Sequence, residues 1–325
     1  MKSRRHETGA ALLAAMLTVA LVASMAAAAL WQQWRSVEVE AAERSRVQSL
    51  WVLTGALDWA RLILREDARS GGADHLGEPW AVPLEEARLS TFLAAEKGVA
   101  TNTTDAATQA FLSGYISDLQ GRMNVFNLVE NGKPSEPTVR AFAKLFEKLG
   151  LPRSELGALI ENLRFAQDVS PNNGSARMAP LMPQRVGQLV WLGLSPRSLA
   201  ILRPSITLLP QRTPVNINTA SAPVLFATIP GLDMAQAERL VSTRQFAHFR
   251  TLADAGKVVP DAAGDFSEAL HSVNSRFFEI HGRLRLDQTV VDERSVVQRD
   301  GIAVKTLWRD RGSGGAPSAQ SSPIQ

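Results

Sequence analysis

An uncharged run of residues near the start of the chain limits what the rest can become. A basic stub, Lys2-Ser3-Arg4-Arg5, leads to Gly9, and no charged side chain follows from Ala10 to Trp31. At ~1.5 Å rise per residue, roughly 22 helical residues reach about 33 Å, enough to cross the hydrocarbon core of a bilayer. Ala26-Ala27-Ala28 offers small residues to a signal peptidase, but the run is longer than the ~7–15 apolar residues of a cleaved secretory signal. Trp31 and Trp34 fall where interfacial rings lie, and Glu38, Glu40 and Glu43 beyond Arg35 favour placing the bulk of the chain outside. A single-pass anchor is expected.

The helical pattern does not stop at the anchor. Val47, Leu50, Leu53, Leu57, Ala60 and Leu64 recur at steps of three and four, with Glu43, Arg44, Arg46, Gln48, Asp58, Arg61 and Arg65 on other faces. This is an amphipathic helix whose apolar stripe must be covered. Gly55 alone interrupts it, and Ser70-Gly71-Gly72 ends it. The spacing predicts one helix from Ala10 to about Arg69, half in the membrane and half packed on a globule. Two helices with a break near Arg35 are the alternative.

Further on, Met123, Val125 and Leu128 alternate with asparagines as in a strand, and the asparagines are suited to closing turns through side-chain-to-backbone bonds. From Pro137 the period changes. Val139, Phe142, Leu145, Phe146 and Leu149 form one helical stripe, and Leu156, Leu159, Ile160 and Leu163 another; short apolar helices continue to Leu202. Period two returns in Phe277–Leu286, Val290–Gln298 and Val304–Arg309, with Asp300-Gly301 as a turn. The expected fold class is α+β. A long N-terminal helix packs on an antiparallel sheet begun near Val125 and extended by three returning strands, with a large all-α insertion between. The segments read as 10–31 membrane helix, 32–130 first part of the α+β domain, 131–263 inserted helical domain, 264–310 returning strands, and 311–325 disordered tail.

The chain has no cysteine, which removes disulfides, thiolate metal sites and Cys nucleophiles. Its net charge is +3, but Lys2, Arg4 and Arg5 against Glu7 account for two of those charges, so the body is nearly neutral. Nucleic-acid binding needs a concentrated basic face. No Gly-rich phosphate loop, Gly-x-Ser-x-Gly or His-x-x-x-His spacing occurs, and no catalytic residues are assigned. Asp74, His75 and Glu78 read as a solvated loop rather than a metal cluster. Asp261, Asp265 and Glu268 form an acidic loop that is a weak metal candidate, with helix capping preferred.

Thr213–Leu225 followed by Ile229-Pro230-Gly231-Leu232-Asp233-Met234-Ala235-Gln236-Ala237 resembles a helix-hairpin-helix unit. In DNA-binding members the hairpin is Gly-x-Gly and its N–H groups grip a phosphate. Here Asp233 replaces the second glycine. An acid there repels phosphate and makes a good N-cap, so the turn Pro230–Asp233 is expected to be structural.

Arg4-Arg5-His6-Glu7-Thr8-Gly9 followed by Ala10-Ala11-Leu12-Leu13 resembles a type IV prepilin processing site, which implies cleavage between Gly9 and Ala10 and makes 1–9 a leader. Such pilins carry Glu at the fifth mature position to pair with a neighbour's terminal amine; here that position is Ala14. A lone carboxylate at membrane depth costs ~2.5–3.5 kcal/mol, and a subunit with none ahead of it has no amine to meet. With the string Asp118–Leu128, the string Asn216–Leu225 within Pro183–Ala255, and the final strands, the chain resembles the K pseudopilins of type II secretion from Arg4 to about Arg309.

The resemblance implies a pilin-like fold carrying helix-hairpin-helix or SAM-like units, and a role in assembly rather than catalysis. It implies a position in the inner membrane with the N-terminus cytoplasmic and the bulk periplasmic. The implied partners are the prepilin peptidase, the minor pseudopilins I and J at a filament tip, other pseudopilins and the inner-membrane secretion platform, with no nucleic acid. It also implies calcium in the periplasmic domain, without assigning ligands here. The alternative is a membrane-anchored helix-hairpin-helix protein of DNA uptake.

Overall fold

Helix α1 runs without interruption from Thr8 to Ser70, 63 residues, in a computed structural model that describes residues 8–90, 110–168, 179–286 and 289–313. There is no break near Arg35. Gly55 is tolerated because it lies on an exposed face with open space around it. Gly71 and Gly72 end the helix at positive φ (69° and 116°), a conformation that a side chain would oppose. From Ala10 to Arg44 the helix is bare on all sides. Burial begins at Ser49 and continues through Leu53, Leu57, Ala60 and Leu64, the expected stripe, whereas Val47 stays exposed.

That stripe is covered by a five-stranded antiparallel sheet in chain order: β1 Leu84–Arg88, β2 Ala110–Asp118, β3 Phe277–Leu286, β4 Thr289–Asp300 and β5 Ala303–Ser313. The central pairing joins distant parts of the chain, with Ile116 opposite Ile280 and Gly114 opposite Gly282. Phe278, Ile280, Val297 and Val304 meet Leu57, Ala60 and Leu64 of α1, and Leu53 meets Ala110, Leu112, Leu284 and Leu286 lower down. Trp80 closes this core edge-on against Phe278, with ring centroids 5.2 Å apart.

Between β2 and β3 the chain builds a helical head: α2 Glu136–Lys148, α3 Arg153–Gln167, α4 Pro196–Leu202, α5 Ala222–Thr228, α6 Met234–Phe246 and α7 Leu252–Val258. Its core is its own, centred on Phe142, Leu145, Phe146, Leu163, Leu189 and Leu225.

Two expectations are corrected here. The sheet does not begin near Val125; the strand that opens its central part is β2. Met123–Asn124 instead pairs in parallel with Ile206–Thr207, and Val125–Leu128 is a 3-10 turn. The asparagine expected to close a turn does so and thereby ends the strand: Asn124 Oδ1 accepts from Phe126 N at 3.1 Å. The tail begins later than expected, because Arg311–Ser313 belong to β5; 314–325 and Met1–Glu7 lie outside the described residues.

Candidate functional site

The far end of the stem, the sheet and the head meet at a buried polar junction. Asp118, the last residue of β2, caps the 3-10 turn Leu119–Gly121 by accepting from Gln120 N at 2.7 Å. Its other oxygen accepts from Ser275 Oγ (2.5 Å), Thr219 Oγ1 (2.6 Å) and Asn216 Nδ2 (3.0 Å). Burial pushes this carboxyl above the usual carboxylate range, and the four donors pull against that. Asn216, 0% exposed, also donates to Asp74 O (3.1 Å) and Ser275 Oγ (2.9 Å) and accepts from Asn218 N (2.9 Å). Gln120 donates to Pro214 O and accepts from Arg276 N. Asn127 exchanges two bonds with the backbone of Thr213, at 2.7 and 3.1 Å. The two strings singled out in the sequence, Asp118–Leu128 and Asn216–Leu225, are thus two sides of one seam.

A second cluster adjoins it. Arg299 of β4 donates to Asp67 Oδ2 of α1 at 2.5 Å, to Asp74 Oδ1, and to Ser275 O at 2.8 Å. Asp74 Oδ2 accepts from Ser275 N at 2.7 Å. Burial raises the Asp74 carboxyl while Arg299 draws it back. Glu78 Oε2 accepts from His75 N (2.9 Å) and Trp80 Nε1 (2.7 Å), and burial pushes its carboxyl up to about 7. His75 lies flat against His248 of the head, 3.8 Å between centroids, and burial and the second ring hold its pKa down. Asp74, His75 and Glu78 are therefore not solvated, although Leu76 and Gly77 between them are exposed. Asp74 is 3% exposed, pinned by an arginine 225 residues away, which no local pattern reveals.

Among the described residues, Asp67, Asp74 and Glu78 are the acidic group whose ligand atoms converge, within 4.8 Å of one another. Calcium takes six to eight oxygens at ~2.3–2.6 Å. These oxygens already face a guanidinium, two backbone N–H groups and an indole N–H, so the donor set does not fit an open calcium cradle. Asp261, Asp265 and Glu268 do not converge in this way. Asp261 and Asp265 lie in the 3-10 turn Pro260–Asp265, and Asp265 bonds the helix hairpin.

That hairpin, Ile229–Asp233 between α5 and α6, is held from within. Asp233 caps α6 reciprocally with Gln236, at 2.7 and 3.0 Å. Gly231 N donates to Asp265 Oδ2 at 3.0 Å, and a Cβ at Gly231 would overlap that carboxylate oxygen. Lys144 Nζ reaches the carbonyls of Ile229, Pro230 and Leu232 at 2.8–3.2 Å and sits 4.1 Å from the Phe226 ring centroid. At the other end of α6, Arg244, its pKa lowered by burial to about 10, donates to Ile217 O at 2.6 Å. The N–H that would meet a phosphate meets an internal carboxylate.

At the opposite end, Thr8, Gly9 and Ala10 open α1, and Ala14 is exposed within a stretch long and apolar enough to cross a membrane, none of which is buried in the molecule. By fold and junction this is a pilin-like stem protein: an apolar anchor continuing into a stem, a sheet laid on the stem, and a helical head fastened at its far end. The protein-family description "Type II secretion system (T2SS), protein K" matches residues 121–211 and 215–274. A Type II secretion system protein K of Pseudomonas aeruginosa is 28% identical over 97% of this chain and 96% of its own length. That of Pectobacterium carotovorum is 26% identical over 95% and 98%. A chain of the crystal structure of the GspK-GspI-GspJ complex from the enterotoxigenic Escherichia coli Type 2 Secretion System has the same fold. Its TM-score is 0.61 at 18% identity, over 84% of this chain and 99% of that one. Along almost its whole length the chain is thus similar to type II secretion system protein K.

Proposed function

We propose that this chain is the minor pseudopilin that initiates and caps the tip of a type II secretion pseudopilus, in company with minor pseudopilins I and J. The observation that carries the reading is the position of the head. It joins the stem through Asp74, Asn216 and the His75–His248 pair, all at the end of α1 away from the anchor. From Trp31 to Ser70, 39 residues of helix place it about 58 Å above the apolar span. A further subunit entering above would meet the head instead of a bare stem. Ala14 fits the same role, since a first subunit has no preceding amine to neutralise. The family name supports secretion, and the assembly of the Escherichia coli chain with its I and J partners supports theirs here. The prepilin peptidase would cut between Gly9 and Ala10, leaving the anchor in the inner membrane and the bulk periplasmic. The secretion platform and the other pseudopilins would meet the anchor.

DNA uptake is the weaker reading because Asp265 and Lys144 already engage the hairpin backbone. N-terminal sequencing of the protein extracted from membranes tests the proposal. A start at Ala10 is expected; a start after Ala28 overturns it. A DNA titration over salt should show no steep dependence, whereas tight salt-sensitive binding would favour DNA uptake.

A further inference from the structure

The two edges of the sheet differ. β1 is five residues long, and its register with β2 is irregular between Leu84 and Ala87, a short, interrupted form that resists further pairing. β5 is eleven residues long, and among the described residues no strand lies on its outer side. We propose that β5 is a docking edge, to which a neighbouring minor pseudopilin of the tip complex adds an extended, carboxylate-bearing segment. This rests on the tip reading, which supplies the neighbour.

Backbone, charge and shape carry the argument together. The stem itself serves the start of the strand, where Arg61 of α1 donates to Val304 O at 2.7 and 3.1 Å. A bulge follows at Leu307, which has no residue opposite it, and the ladder with β4 is then regular from Trp308 to Ser313. An added strand finds ordinary antiparallel backbone there. The charge is one-sided. Lys305, Arg309 and Arg311 stand along β5; both arginines reach the buried Glu293, and Asp310 is taken by Arg185 of the head at 2.7 Å. Three cations thus stand against one carboxylate, and an incoming acid meets the excess. Two copies of β5 laid edge to edge would oppose cation to cation. Beside the strand, between head and sheet, runs a groove of about 480 Å³ lined by Leu307 and Trp308 of β5 and by Phe126, Met182, Leu209 and Pro210 of the head. Leu307 is 39% exposed. In strand addition, main-chain bonds give affinity and such a pocket gives specificity. Anchoring favours a neighbouring stem over a soluble partner. The sheet lies beside residues 53–64 of α1, about 33–50 Å above Trp31, and a subunit anchored alongside presents its own segments at that height and at high effective concentration.

The chain has no cysteine, so one introduced thiol carrying a photo-crosslinker reports one position. The full chain in detergent is mixed with the I and J proteins of the same cell. Leu307→Cys should give an adduct with I or J, and Glu85→Cys on β1 none; Lys305→Cys, at an exposed position, is the second reporter should Leu307→Cys disturb the groove. Hydrogen exchange of the wild-type chain should slow within residues 305–313 on assembly, whereas contact through side chains alone leaves those amides unchanged and overturns strand addition. Lys305→Glu spares the Glu293 pairs and should weaken assembly roughly fivefold, with a smaller dependence on salt. Adducts from Glu85→Cys alone, adducts between two copies of the chain, or undiminished assembly by Lys305→Glu with no adduct from either β5 reporter overturn the proposal. In each of those results the wild type still assembles with I and J, so the tip reading stands; a wild type that binds neither overturns both.

Discussion

Replacing Asn216 by alanine should loosen the attachment of head to stem by an amount the junction allows to be worked out. The side chain is fully buried and serves four groups: Asp118 Oδ2, Asp74 O, Ser275 Oγ and Asn218 N. Ser275 and Asp118 keep other partners, so the groups left orphaned are Asp74 O and Asn218 N, at about 1–3 kcal/mol each. Asp118 also drops from four donors to three while buried, which adds to the loss. A total of about 3–5 kcal/mol follows after allowing for non-additivity. With ~2.1 cal/mol/K per residue over roughly 240 packed residues, the entropy of unfolding is about 0.5 kcal/mol/K, so the midpoint should fall by about 6–10 °C. The assay is near-ultraviolet circular dichroism of the full chain in detergent on heating, with Ser242→Ala, an exposed change on α6, as the control. Asn216→Asp refines it. That variant keeps the shape but sets a second carboxylate 3.0 Å from Asp118, so it should be at least as unstable at alkaline pH and recover on acidification. A midpoint within about 2 °C of wild type for Asn216→Ala would refute the reasoning, since one ordinary surface change is of that size.

Glu78 makes a pH-dependent prediction. Its folded pKa, about 7, lies above the ordinary 4.5, so the folded state binds the proton more tightly and stability falls as pH rises from about 4.5 to about 7. Glu78→Gln should lose that slope and be more stable than wild type at pH above 7, by about 1–2 kcal/mol after allowing for partial solvation; parallel slopes for both proteins in melts across pH would contradict it. His271, held down to about 4 by burial, works the other way: neutral when folded, it costs stability as pH falls from 6.5 toward 4, and His271→Gln should flatten the acid limb of the same curve. Gly231→Ala sets a Cβ against the Asp265 carboxylate oxygen, which must turn aside and give up its bond to Gly231 N, and should cost about 1 kcal/mol in chemical denaturation; if the same loss persists in an Asp265→Ala background, the contact is not the cause. Lys144→Met leaves three hairpin carbonyls without their shared donor and should speed amide exchange at Gly231–Asp233, which equal rates would disprove.

The stem was plain in the sequence because helix periodicity and the uncharged run are local properties. Leu53, Leu57, Ala60 and Leu64 announce a buried stripe wherever their partners come from. The returning strands were legible for the same reason, as was the capping role of Asp233, which depends on residues three positions away. β2 was passed over. Its pairing is with Phe277–Leu286, far along the chain, and Gly114 in its middle obscures the alternation. The junction could not be read at all. Asp118, Asn216, Ser275, Asp74 and Arg299 are unremarkable one by one, and their meaning arises from hydrogen bonds between residues 24 to 225 positions apart. Burial then changes what each one is: Asp74 appears soluble in a loop, yet in the folded chain it is an ion-paired acid. Local composition determined the anchor, the stem and the kind of each element, because backbone sterics and apolar spacing act over a few residues. Only tertiary structure decided where the head sits and which charges compensate which, because desolvation and long-range pairing exist only once the chain has closed on itself.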